Sequence, residues 1–102
     1  MSNVHFLNGK FVGEEELLIS PRDLGYTRGY AVFDFLRTYN GKPFYLKDHI
    51  ERLLNSAKLI DLHINYTGQE IEKMVLEALA RNNNGAEKAI KIIASGGVSQ
   101  SR

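Results

Sequence analysis

A chain of 102 residues, 43% hydrophobic and 25% charged, has the size and balance of one small globular domain. Thirteen Lys and Arg against twelve Asp and Glu leave a formal charge of +1, far short of an electrostatic footprint on nucleic acid or anionic lipid. The absence of cysteine excludes disulfides, thiol nucleophiles and thiolate zinc sites. No apolar run reaches membrane-spanning length, and no basic segment followed by an apolar stretch opens the chain, so a cytoplasmic protein without a membrane partner is expected.

Val4-His5-Phe6-Leu7, Asn8-Gly9 and Lys10-Phe11-Val12 predict a tight hairpin, because Asn tolerates and Gly welcomes the positive φ of a type I′ turn. From Ser20 to Tyr30 the chain mixes polar, glycine and aromatic residues without a clean period and reads as a functional loop. Val32 to Tyr39, Asn40-Gly41 and Lys42 to Leu46 repeat the hairpin with a longer first strand. There Phe33, Phe35, Arg37 and Tyr39 share one face, while Val32, Asp34, Leu36 and Thr38 share the other. Large apolar groups on both faces predict a central strand, and Pro43, which has no ladder donor, predicts an edge for its return.

The second half turns helical. Ile50, Leu53, Leu54, Ala57 and Asp61 fall on one stripe, with Ile60 at its margin. Thr67-Gly68-Gln69-Glu70 is a capping box that opens a second helix, whose apolar face is Ile71, Met74, Val75, Ala78 and Leu79. Arg81 occupies its last turn and Asn82-Asn83-Asn84-Gly85 offers a left-handed stop. Ala89 to Ala94 reads as a buried strand before a glycine turn. The order predicts an α+β fold: two β-hairpins and a further strand in a mixed sheet, covered on one face by two helices. The other sheet face is left open, which points to a fragment or to a domain that needs a partner.

His49, Arg52 and Ser56 fall within about 60° of one another around their helix, on the flank of the apolar stripe. A guanidinium beside a buried face can present its fork of donors to a phosphate or carboxylate. The same spacing also suits an arginine that snorkels to solvent. The segment Arg22 to Tyr30 and the strand after it could wall a pocket for an anionic planar ligand, or simply pack tyrosines on a sheet. Ser95 to Arg102 could form an anion-binding nest from amides freed by glycine, but it lacks the spacing of a P-loop and reads rather as a surface turn. Three scattered histidines predict no metal site, and no Gly-x-Ser-x-Gly elbow supports a serine hydrolase. Lys58 falls on a polar helix side and Lys91 alternates with apolar strand neighbours, so neither reads as a Schiff-base former.

Asp23-Leu24-Gly25-Tyr26, Gly29-Tyr30-Ala31-Val32-Phe33-Asp34 and Tyr39-Asn40-Gly41-Lys42-Pro43-Phe44-Tyr45-Leu46 follow one another in an order that resembles the N-terminal small domain of class IV pyridoxal-phosphate enzymes. His49-Ile50-Glu51-Arg52-Leu53 with Asn55-Ser56-Ala57-Lys58 is the most specific part. That family includes branched-chain and D-amino-acid aminotransferases and aminodeoxychorismate lyases. The resemblance implies pyridoxal 5′-phosphate (PLP) as cofactor, with Arg52 on its phosphate and Phe33 and Arg37 lining the substrate side. It implies that Ser101 and Arg102 approach the substrate carboxylate, and that the catalytic lysine belongs to a C-terminal domain beyond residues 1–102. An amino acid and a 2-oxo acid would be the substrates, and a homodimer or the missing domain would cover the open face. A fragment of a lyase, or a non-catalytic binding and dimerisation module, are the alternatives. Three positions depart from the family. Phe33 stands where D-amino-acid enzymes favour Tyr, Asp34 replaces the usual Glu, and Arg28 puts a cation near the pocket mouth where an aromatic is common.

Overall fold

The computed structural model describes residues 3–98. Both Asn-Gly pairs take the left-handed backbone their chemistry allows: φ is 49° and 90° at Asn8 and Gly9, and 54° and 77° at Asn40 and Gly41. The first pair joins β1 (Val4–Leu7) to β2 (Lys10–Gly13), with the Phe6 and Phe11 rings meeting edge-on at 5.2 Å. The second joins β3 (Ala31–Tyr39) to β4 (Lys42–Pro43). Its turn is latched from a distance. Glu87 accepts from the Asn40 and Gly41 amides at 2.6 and 3.1 Å and from the Thr38 hydroxyl at 2.5 Å.

The return strand stops at Pro43 instead of running to Leu46. Tyr45 turns left-handed (φ 54°) and Leu46 already begins α2 (Leu46–Leu59). Asp48 in the first turn suits the positive end of the helix dipole. The helix closes two residues earlier than the stripe suggested. Ile60 caps it, Asp61 (φ 56°) leaves the axis exposed, and Leu62 is buried next to it. The second helix, α3 (Gly68–Arg81), starts on the predicted capping box, with Thr67 Oγ1 accepting from the Glu70 amide at 3.1 Å and Glu70 accepting from the Thr67 amide at 2.8 Å.

After two helices the chain returns to the Tyr39 end of β3, so β5 (Ala89–Ser95) pairs antiparallel: Ala89 with Arg37, Ser95 with Ala31. Strand order β4-β3-β5 makes β3 central and the Pro43 strand an edge. The expected single mixed sheet is therefore corrected to two antiparallel sheets. The first hairpin does not join the larger one, because α3 holds it: Asn82 accepts from the Val4 amide at 2.7 Å and donates to the Val4 carbonyl at 2.8 Å.

Leu36 of β3, Leu46 and Ile50 of α2, and Ile71 and Val75 of α3 form the core, with Ile90 and Ile92 of β5 packed against it. β5 is thus buried on one face only: Ala89, Lys91 and Ile93 point away from the helices and are exposed. Among the described residues no helix is long and apolar enough to cross a membrane.

The Ser20 to Tyr30 loop contains one short helix, α1 (Leu24–Arg28), which the sequence reading missed. Its signals are its caps: Asp23 accepts from the Gly25 amide at 2.8 Å, and Gly29 stops it at φ 66°. Asp23 also accepts from the Ser95 hydroxyl at 3.0 Å, and the Leu24 amide donates to the Gly97 carbonyl at 2.8 Å. Gly96 lies directly under the Tyr30 ring, where any Cβ would overlap it. The loop is strapped to the end of β5.

Candidate functional site

Extended chain alternates its side chains, and β3 uses that alternation to face two environments. Asp34, Leu36 and Thr38 point toward the helices and are buried. An aspartate in that layer needs partners for both oxygens. Arg52 of α2 supplies two: its Nε donates to Oδ2 and its Nη2 to Oδ1, each at 2.8 Å. His49, one turn earlier on the same helix, brings Nδ1 to 2.6 Å from Oδ1, and the Phe35 amide donates to Oδ1 at 3.1 Å. The Arg52 hydrogen bonds, opposed by burial and helped by His49, hold the Asp34 carboxyl down from its ordinary 3.8 to about 2. Asp34 in turn raises the pKa of the guanidinium.

The clamp uses only one edge of the guanidinium. Among the described residues Nη1 has no protein acceptor, and 66% of the Arg52 side chain is exposed. That edge is the available anion donor. A shallow cleft of ≈ 250 Å³ beside it is lined by Asp48, Glu51, Arg52 and Asn55. Its acids outnumber its base, so the cleft itself does not favour an anion and the guanidinium edge is its one cationic donor. Ser56, which shares the helix flank, takes no part in the cluster. Among the described residues no group of His, Asp and Glu gathers to hold a metal ion.

The opposite face of β3 is open. Phe33 is 62% exposed, and Phe35, Arg37 and Tyr39 follow it outward. Across the ladder Ile93 stands beside Phe33 and Lys91 beside Phe35, with the Lys91 Nζ 4.8 Å from the Phe33 ring centre. On this face β3 and β5 combine aromatic surface with Arg37 and Lys91 and carry no acid. The structure therefore sets Phe33 and Arg37 on one face of β3, and Arg52 across the sheet from them. Arg28 ends α1 in solvent, without an ion pair to either group among the described residues. Ser101 and Arg102 lie outside the described residues.

Two anchored carboxylates are expected to make the domain acid-sensitive. A carboxyl with a depressed folded pKa stabilises the fold above its unfolded pKa, and that stability is lost as pH falls through the folded value. For Asp34 the window runs from pH 3.8 down to about 2. Glu87 adds to it, its pKa lowered from 4.5 by Thr38 and then by the Gly41 and Asn40 amides. Urea unfolding at pH 6, 4 and 2 is expected to show falling midpoints, and Glu87→Gln to flatten the upper part of the fall. A midpoint independent of pH over this range would contradict both anchors.

The fold and sequence resemble those of known proteins. The family profile for Amino-transferase class IV matches residues 31–102. A D-alanine aminotransferase from Staphylococcus epidermidis is 44% identical over 78 residues, 76% of this chain and 28% of the relative. The crystal structure of a branched-chain aminotransferase from Thermoproteus uzoniensis with norvaline superposes over 99% of this chain and 36% of its own, with a TM-score of 0.90 and 33% identity. A branched-chain amino acid aminotransferase from T.th., complexed with N-(5′-phosphopyridoxyl)-L-glutamate, superposes over 96% of this chain and 34% of its own, with a TM-score of 0.87 and 30% identity. The chain thus spans 28–36% of the length of these relatives. With β3, α2, α3 and β5 all inside the matched region, this chain belongs to the class IV aminotransferase family.

Proposed function

We propose that this chain is the cofactor-anchoring, pocket-wall portion of a cytoplasmic class IV aminotransferase that moves an amino group between an amino acid and a 2-oxo acid. The observation that carries the proposal is the Arg52 guanidinium, held on one edge by Asp34 and open to an anion on the other. Arg52 grips the PLP phosphate as a charge-assisted donor. When bound, PLP supplies the electron sink for chemistry at the substrate Cα. Phe33, Phe35 and Ile93 offer the side chain of the substrate an apolar wall, and Arg37 on the same face offers its carboxylate a cation. That apolar wall favours branched-chain substrates, and the relatives with branched-chain names agree in fold, one of them at 33% identity. The catalytic lysine is assigned to the remainder of a longer protein, and the open sheet face to contact with that remainder or with a second copy.

D-alanine is the second substrate reading, motivated by the 44% identity to a D-alanine aminotransferase. Assaying the full-length protein with L-leucine, L-valine or D-alanine as donor and 2-oxoglutarate as acceptor separates the two. The 102-residue chain alone is expected to give no turnover in the same assay. Turnover by the chain alone would overturn the division of labour, and no transfer by the full-length protein from any of the three donors would overturn the reaction.

A further inference from the structure

We propose that Asp34 is the positioning residue of the anion anchor, fixing the plane of the Arg52 guanidinium so that Nη1 is presented to a phosphate monoester. The inference rests on the reading of Arg52 given above and adds a residue that touches neither cofactor nor substrate. An arginine on a helix surface samples many rotamers, and an anion that captures it must immobilise it. Here that ordering is already done. Two near-parallel bonds of 2.8 Å, from Nε and Nη2, define a plane rather than a single direction.

Asp34 is itself rigid enough to act as a reference. It lies in the middle of the central strand, is 4% exposed, and receives His49 and the Phe35 amide on the oxygen that also takes Arg52 Nη2. The carboxylate therefore cannot rotate without breaking several bonds at once. Strand and helix are joined through it, and the guanidinium inherits the rigidity of both.

An opposing effect must be weighed. Asp34 carries a negative charge beside a site meant for a dianion, and by charge alone its removal would strengthen anion binding. Geometry decides against that outcome. The carboxylate is buried and neutralised by the clamp, whereas Nη1 lies on the exposed edge where solvent screens the repulsion. Loss of order outweighs loss of repulsion.

The experiment compares PLP with pyridoxal, which keeps the aldehyde and lacks the phosphate, by absorbance titration of the full-length protein. Asp34→Asn is expected to weaken PLP binding about 10-fold, the scale of one charge-assisted hydrogen bond, and to leave pyridoxal binding unchanged. In an Arg52→Ala background the same substitution is expected to have no further effect on the ratio of the two affinities. Should Asp34→Asn not fold, Asp34→Glu keeps the charge and displaces the guanidinium by a methylene; about a 3-fold drop in the ratio is expected, on the principle that misplaced donors lose part of their bond. An unchanged or raised ratio, or full additivity with Arg52→Ala, overturns the positioning role. If Arg52→Ala itself leaves the ratio unchanged, the anchor reading falls and this inference with it. If Arg52→Ala lowers the ratio and the Asp34 variants do not, only the positioning role falls.

Discussion

Replacing Arg52 with alanine in the full-length protein is expected to weaken PLP binding by about 10- to 150-fold, the range spanned by charge-assisted hydrogen bonds. The lower end is set by exposure: a side chain that solvent reaches over 66% of its surface gains less from an anion than a dry one does. The upper end is set by preorganisation through Asp34, which spares the anion the work of ordering the side chain. Arg52→Lys is expected to recover little, because a point ammonium cannot bond Asp34 on one edge and a phosphate on another. The loss should also shrink as salt rises, since part of it is unscreened charge attraction. Equilibrium titration at two ionic strengths reads both features, and wild-type affinity in the alanine variant would remove Arg52 from the site.

Leu53→Ala is the largest expected stability loss. Leu53 adjoins Arg52 on α2, is 1% exposed, and among the described residues is the largest side chain that the fold encloses completely. Truncating a buried leucine costs about 2–5 kcal/mol, the transfer of lost methyl groups plus the void they leave. For a domain of ordinary stability, about 5–15 kcal/mol, that is a large share of the total. Leu59 on the same helix is 86% exposed and provides the contrast: Leu59→Ala should change stability by no more than about 0.5 kcal/mol. Urea unfolding of both variants checks the pair. Equal effects would mean that α2 does not pack as described.

Local chemistry made much of this fold legible. The two Asn-Gly turns, the Thr67 capping box, the central β3 and the edge at Pro43 each follow from a few neighbouring residues. Elements whose cause is short or distant were lost. Helix α1 has only 5 residues, too few for a hydrophobic period to show, and its caps at Asp23 and Gly29 were the one usable sign. Tyr45 opens α2 just past the return strand with a left-handed backbone that no propensity favours in a bulky residue. Of the candidate site, helical spacing placed His49 and Arg52 side by side. Their common partner was not legible, because Asp34 lies 18 residues from Arg52 and only the packing of α2 on β3 joins them. The resemblance marks Asp34 as a departure, and the fold sets it against Arg52. Lys91 was set aside as a plain strand residue; the antiparallel register is what carries it to the Phe33 ring.

The two-residue repeat of β3 has a practical consequence for anyone redesigning this protein. Phe33 and Asp34 are neighbours in the chain and strangers in space, one looking outward and the other into the helical layer. Odd positions along that strand can be varied to reshape the outer face while the Asp34–Arg52 clamp stays as it was. A deletion or insertion of a single residue inside the strand enjoys no such freedom, because it would swap the two rows beyond it and disturb outer face and clamp together.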